Sequence, residues 1–363
     1  MKNKERAFIS DCEGPISIND NAFEITSRFV PDGERLFTVI SRYDDVLAYV
    51  LKRPKYKAGD TLKLILPFLK AYDVTDQVMR ECSAQNVILI RNAKDTLQFV
   101  RNLTNAFLVS TSYEHYVKAL CQVLDFSYKN TYCTQLNIDK YQITEKEKNE
   151  LKKLATEIVQ MSIIEIPSKA ESLDDFSEKH RKAIQRLDEI FWGELANMES
   201  GKMLHEVNPV GGEEKAEAVK DVAQRLGIKL SSVMYVGDSI TDVEAFRLVK
   251  ENGGLAVSFN GNRYAVRNAE IAVLAENSVV TAILADIFFR HGKLKLLGLV
   301  ESWNLKALEK SPVNPTLLKS AFQLYPKSLP KVKIITGEDI GVLVEESTKF
   351  RKNVRGESIG RLG

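Results

Sequence analysis

The stretch Phe8-Ile9-Ser10-Asp11-Cys12-Glu13-Gly14 decides how the chain is read. A short apolar run stops at two carboxylates, two residues apart. The run over residues 6–10 reads as a buried strand. Similar runs occur at residues 106–110, 232–236 and 254–259. Helical patterns separate them. Apolar residues recur at Ala93, Leu97, Val100 and Leu103, and again at Ala218, Val219, Val222, Ala223 and Leu226, where Gly227 ends the helix. Another helix is expected over residues 242–249. Strands alternating with helices predict an α/β fold, a parallel sheet covered on both faces. Such folds hold ligands beyond the carboxyl ends of their strands. The polar residues just after each apolar run are therefore the ones to inspect.

Set side by side, those ends form a chemical set. The first gives Asp11 and Glu13. The second gives Ser110, with Thr111 and Ser112. Lys215 stands near the start of the helix before the third strand. That strand runs into Gly237-Asp238-Ser239-Ile240-Thr241-Asp242. An aspartate at a strand end is ordinarily a turn former or helix cap, and Asp242 could be one. Together the ends bring three or four carboxylates, hydroxyls and an ammonium into one cleft. Clustered carboxylates repel unless a cation sits among them, and hard oxygen donors suit Mg2+. Hydroxyl and ammonium donors suit phosphate oxygens.

Long insertions interrupt the alternation. Residues 15–85 read as helical, with amphipathic segments at 20–29 and 34–51 and a further start at Gly59-Asp60-Thr61. Residues 121–210 hold a Thr-rich apparent strand near 131–138, then helices at 144–159 and 173–198. The charge run Glu145-Lys146-Glu147-Lys148 reads as a solvated helix face. Residues 279–289 look helical. The last segment carries Pro312, Pro315, Pro326 and Pro330, a strand at 332–335 and a helix from about Glu338. This divides the chain into a core (1–14, 86–120 and 211–290), a helical insertion (15–85), a second, mainly helical insertion (121–210) and a C-terminal extension (291–363).

Composition narrows the function. The 363 residues exceed one average domain. Lys+Arg is 51 against Asp+Glu 49, a net charge of +2, so no global charge favours nucleic acid or a membrane surface. The basic tail (Lys349, Arg351, Lys352, Arg355, Arg361) reads as a solvated, frayed end. Cys12, Cys82, Cys121 and Cys133 form no CxxC pair, and His115, His180, His205 and His291 share no ligand spacing. No apolar run reaches membrane-spanning length, and the charged start is no signal peptide. A cytoplasmic location is expected.

The four motifs in this order resemble the haloacid-dehalogenase superfamily of phosphohydrolases. Asp11-Cys12-Glu13-Gly14, Leu108-Val109-Ser110-Thr111-Ser112-Tyr113, Lys215 and Gly237 to Asp242 are similar to its phosphoserine phosphatase group. Members with phosphoserine phosphatase and homoserine phosphotransferase activity also carry Asp-x-Glu-Gly. Archaeal proteins labelled as accessory subunits of an energy-converting hydrogenase look similar too. The resemblance implies a three-layer Rossmann-like core, with residues 15–85 as a mobile cap. It implies Asp11 as nucleophile, Glu13 as acid/base, and Mg2+ held by Asp11, the Glu13 carbonyl and Asp238. Ser110, Thr111, Lys215 and the turn at Gly14 would serve the phosphate, and Asp242 would orient Lys215. Lys202 and Lys220 are the weaker alternatives to Lys215.

The activity implied is that of a magnesium-dependent phosphatase or phosphotransferase acting on a small phosphorylated metabolite. Glu13 carries one methylene more than the usual aspartate, which puts the phosphoryl acceptor in question. Glu24, Arg28, Arg42 and Arg53 are candidate substrate selectors; Tyr43, Tyr56 and Phe68 would line the pocket or pack. The rival reading is a non-catalytic regulatory or assembly protein on a retained phosphatase fold. Residues 121–210 or 291–363 would then meet a second copy or a protein partner.

Overall fold

In the computed structural model the described residues are 3–167, 169–360 and 362; Arg361 of the basic tail lies outside them. Seven strands form one sheet among these residues. They are β1 (Asn3–Ser10), β2 (Thr104–Tyr113), β3 (Thr131–Thr134), β4 (Val233–Gly237), β5 (Leu255–Phe259), β6 (Ile271–Leu274) and β7 (Lys331–Ile334). The order is β3-β2-β1-β4-β5-β6-β7. All neighbours pair in parallel except β6 with β7. The chain moves outward from β1 through β2 to β3, then returns to the other side of β1 with β4. The carboxyl end of β1 is thus a topological switch point, where α/β sheets open a crevice.

Helices α1 (Asn21–Phe29), α2 (Gly33–Asp45), α3 (Thr61–Leu64), α4 (Leu66–Ala71) and α5 (Asp76–Gln85) follow β1. Around β2 lie α6 (Ala93–Leu103) and α7 (Glu114–Leu124). Next come α8 (Glu145–Gln160), α9 (Glu178–Glu189) and α10 (Lys202–Glu206), then α11 (Glu213–Leu226) before β4 and α12 (Val243–Glu251) after it. The chain continues through α13 (Arg263–Asn268), α14 (Val279–His291), α15 (Lys293–Glu301), α16 (Leu305–Glu309) and α17 (Pro315–Leu324). It ends with α18 (Ile340–Arg355) and α19 (Glu357–Gly360).

Alternation along the strands makes three layers. Phe8, Leu108, Met234 and Val257 face one way, onto residues of α6, α7 and α14 such as Leu97, Leu120 and Ile283. Ala7, Ile9, Val109 and Tyr235 face the other way, onto α11 and α12 through Val219, Val222 and Phe246. Burial of both faces accounts for the continuous apolar runs in the sequence.

The helices of residues 15–85 and of 136–207 share a single apolar core. Phe191 lies between Tyr43 and Phe68, with ring centroids 5.7 and 6.1 Å away. Asp188 accepts from Tyr43 Oη at 2.5 Å and from Arg53 Nη1 at 2.8 Å. Arg53, expected as a substrate selector, and Tyr43 and Phe68, expected to line the pocket or pack, therefore join one insertion to the other.

Several expectations need correction. The Thr-rich strand stops at Thr134, because Asn137 caps a 3-10 turn over Ile138–Lys140, and it pairs with β2 at the sheet edge. Strand β6 escaped notice: it is buried along its whole length, and a short run that is apolar throughout is not told from a buried helix turn by periodicity. The helix expected over 34–51 ends at Asp45 in a π turn, Val46–Val50. The one over 173–198 breaks into a 3-10 turn, α9 capped by Ser177, and a π turn. The basic tail is not frayed over residues 349–355, which lie in α18. Arg351 and Arg355 are 2% and 8% exposed, inside the cleft at the end of β1.

Candidate active site

Asp11 follows the last residue of β1, and its N–H donates to the Val236 carbonyl of β4 at 2.8 Å. This ties the two strand ends that carry Asp11 and Asp238. The carboxylates of Asp11, Asp238 and Asp242 are buried, with ligand atoms within 4.8 Å of one another. Gly14 makes this approach possible. A Cβ there would lie 2.2 Å from Asp238 Cγ, and its φ of +101° suits glycine.

Lys215 enters from the first turn of α11 and is wholly buried. Its Nζ donates to Asp11 Oδ2 at 2.6 Å and to Asp242 Oδ1 at 2.8 Å. Asp242 is fixed on every side. Tyr235 Oη donates to Oδ1 at 2.7 Å, and the N–H groups of Asp238 and Ser239 donate to Oδ2 at 2.9 Å. The alternatives to Lys215 are remote: Lys202 and Lys220 lie on the surface, paired with Glu199 and Glu217.

These contacts set the charges. Burial pushes the Asp11 carboxyl up to about 7; Lys215 opposes this while Asp242 and Asp238 add to it. Burial would lower the Lys215 ammonium, but Asp11 and Asp242 outweigh it and hold the lysine above its ordinary value. Burial would raise Asp242; the Lys215 charge and hydrogen bonds bring it below the usual range. Glu13 is raised well above the carboxylate range by burial and then by Asp20. Its Oε1 accepts from Asn21 N at 2.7 Å, linking the carboxyl to the start of α1.

A cavity of about 100 Å³ opens over this cluster. Thr111 and Ser112 line it; the Thr111 hydroxyl has no hydrogen-bond partner, and the Ser112 hydroxyl lies beside the Glu13 carboxyl. Ser110 is buried beneath them; its Oγ accepts from Ser112 N at 3.2 Å, and it does not line the cavity. The strand end therefore offers the cavity Thr111 and Ser112. Beyond the sheet the walls are Asp20, Ala22, Phe37, Ser41, Asp44, Asp45, Thr61 and Leu62.

None of the expected selectors is among them. Glu24 accepts from Asn19, Arg28 lies against Cys82 and the Phe29 ring, and Arg42 pairs with Asp45. Arg53 stacks on Trp192, and Tyr56 packs against the same ring. The site residues that sequence reasoning missed are Arg351 and Arg355. Their i, i+4 spacing inside a predicted helix was the available signal.

The donor set suits a hard divalent cation. Every candidate ligand is an oxygen, and Gly14 leaves room for Asp238 to reach it. Positive charge already lies on that position: Arg351 Nη1 contacts Asp238 Oδ2, and Arg355 Nη1 lies 3.0 Å from the same oxygen.

Fold and site together define a haloacid dehalogenase-like hydrolase. The chain belongs to that family, which it matches over residues 59–285. The matched stretch contains Ser110, Lys215, Asp238 and Asp242; Asp11 and Glu13 precede it. The fold is shared along nearly the whole chain with a gene product of Archaeoglobus fulgidus, 24% identical, at a TM-score of 0.79 covering 99% of each chain. A phospho-aspartyl intermediate analogue of phosphoserine phosphatase is 14% identical, at a TM-score of 0.46 covering 78% of this chain and 98% of the other. An apo phosphoserine phosphatase is 13% identical, at 0.41, covering 75% and 95%. No curated protein sequence matches the chain. No helix among the described residues is long and apolar enough to cross a membrane.

Proposed function

We propose that the chain is a magnesium-dependent phosphatase acting on a small phosphomonoester, with Asp11 as nucleophile. One observation carries this reading. A carboxylate at the switch point of the sheet is held by a buried ammonium, beside a second carboxylate and the Thr111 and Ser112 hydroxyls that line the cavity. Asp11, the Glu13 carbonyl and Asp238 would hold the ion. Bound there, magnesium would screen the repulsion between the Asp11 carboxylate and the phosphate dianion.

The chain's own groups then divide the work. Asp11 attacks phosphorus, forming an aspartyl phosphate as the bond to the leaving oxygen breaks. Glu13 gives its proton to that oxygen, then takes one from the water that attacks the aspartyl phosphate and frees Asp11. Lys215, kept cationic by Asp11 and Asp242, balances charge beside the nucleophile. Thr111 and Ser112 offer hydroxyls to the phosphoryl oxygens. The cavity of about 100 Å³ favours a small leaving group.

The test is a panel of phosphate esters assayed with and without magnesium, for the wild type and Asp11→Asn. Magnesium-dependent release of phosphate that the variant loses is expected. Turnover surviving in Asp11→Asn overturns the mechanism. Absence of both turnover and magnesium binding would favour the regulatory reading.

A further inference from the structure

Helix α18 contributes four buried residues to the fold: Leu343, Ser347, Arg351 and Arg355. Two of the four are arginines, so charge is a large part of how the helix docks. Its apolar attachment is Leu343, buried beside Val266, Ala272 and Leu274, with the partly buried Val344 and Phe350 packed against them and Val354 against the neighbouring core. Ser347 Oγ donates to the Gly261 carbonyl at 2.6 Å. The guanidiniums, one helical turn apart on the same face, converge on a single oxygen, Asp238 Oδ2. Arg351 also reaches the Asp238 carbonyl at 3.3 Å, and Arg355 Nε donates to the Ile18 carbonyl at 3.0 Å. Arg355 Nη2 contacts the Asn19 carbonyl as well.

We propose that α18 is a gate on the cation site: its arginine pair and a divalent cation compete for Asp238, so cation binding and docking of the C-terminal helix oppose one another. This rests on the reading of Asp238 as a metal ligand.

The physical argument is one of exclusion. Magnesium takes its ligand oxygens at about 2.0–2.1 Å in a nearly ideal octahedron. Both guanidiniums take Asp238 Oδ2, so an ion on either oxygen of that carboxylate would stand beside two guanidinium charges, and the three cations would repel. The arginines already repel each other, and Arg351 Nε is buried without a partner. The docked helix is thus held by the negative charge of Asp238 and is loosened when another cation takes that charge. Linkage makes the effect mutual: whatever factor the helix takes from cation affinity, the cation takes from helix docking. The Arg355 contacts to Ile18 and Asn19 place the same competition at the chain leading into α1, so a released α18 also frees the approach to the cavity.

The experiment uses the full chain and magnesium alone. Calorimetric titration compares the wild type with Arg351→Met/Arg355→Met, which keeps part of each stem. Hydrogen exchange over residues 340–360 is followed in the wild type with and without saturating magnesium. Expected are at least ten-fold tighter magnesium binding in the variant and faster exchange in the wild-type helix when magnesium is added. Equal affinities, with helix protection unchanged or increased by magnesium, would overturn the gate and leave the metal site standing. If neither protein binds magnesium, the metal reading fails and the gate falls with it. Should the double variant fail to fold, the wild-type exchange measurement decides alone.

Discussion

Lys215 Nζ lies 2.6 Å from Asp11 Oδ2, across 204 residues of sequence, and the lysine has no exposure to solvent. A buried ammonium between two buried carboxylates is costly to break from one side, because the remaining charges stay unpaired. Lys215→Met should therefore lose about 3–5 kcal/mol of stability as well as turnover. Urea unfolding measures the first. A variant as stable as the wild type would show that the ion triad contributes no net cohesion.

Glu13 differs from the other carboxylates in its tie to the start of α1, through the hydrogen bond from Asn21 N. Glu13→Gln keeps an acceptor for that bond and removes the acid. General acid catalysis commonly contributes about 100- to 10,000-fold, and most when the leaving group is poor. Turnover of alkyl phosphates should fall at least 100-fold, and that of p-nitrophenyl phosphate far less. Equal losses on both substrates would argue against Glu13 as the proton donor.

Gly14 can be tested without touching a charged group. A Cβ at this position meets Asp238 Cγ at 2.2 Å, and the backbone φ of +101° is strained for any L side chain. Gly14→Ala should cost about 1–3 kcal/mol and push Asp238 away from Asp11. Thermal unfolding and calorimetric magnesium binding check the two parts. Unchanged magnesium affinity would mean that the spacing of Asp238 is not critical.

The site was legible in the sequence where chemistry sits at the end of an apolar run. Asp11 and Asp238 follow strands whose two-sided burial leaves an unmistakable run of apolar residues, and Lys215 follows a glycine pair that starts α11. Ser110 and Thr111 were the expected hydroxyls, yet Thr111 and Ser112 are the ones lining the cavity, because which way a residue faces at a strand end depends on local twist. The helical wall from residues 15–85 was less legible still. Arg53 reads as a selector and Tyr43 as a pocket-lining or packing residue, but the second insertion covers both through Asp188 and Phe191. Nothing in residues 34–53 announces a partner about 140 positions away. Arg351 and Arg355 were misread for the same reason: a basic helix looks solvated until its acidic counterpart, Asp238, is known.

Asp44 offers a test of charge on the cavity wall. It is 3% exposed, and burial, then the nearby Asp60 and Asp45, raises its carboxyl from 3.8 to about 7. Oδ2 accepts from Gly59 N at 3.0 Å and from Thr61 Oγ1 at 2.8 Å, and the Tyr56 hydroxyl lies beside the carboxyl. A carboxyl whose folded value lies above its unfolded value binds its proton more tightly when folded. The stability this gives is complete below about pH 4 and is lost as the pH rises to about 7. Asparagine fits the same contacts: its oxygen accepts both hydrogen bonds, and its amide takes the place of the other oxygen, beside the Tyr56 hydroxyl, without a charge. Asp44→Asn should therefore gain stability over the wild type as the pH rises from about 5.5 to 8, by about 1–2 kcal/mol across that window. Urea unfolding of both proteins at several pH values measures the difference. A constant difference would show that Asp44 does not titrate there, and an opposite slope would mean that a cationic neighbour holds it ionised.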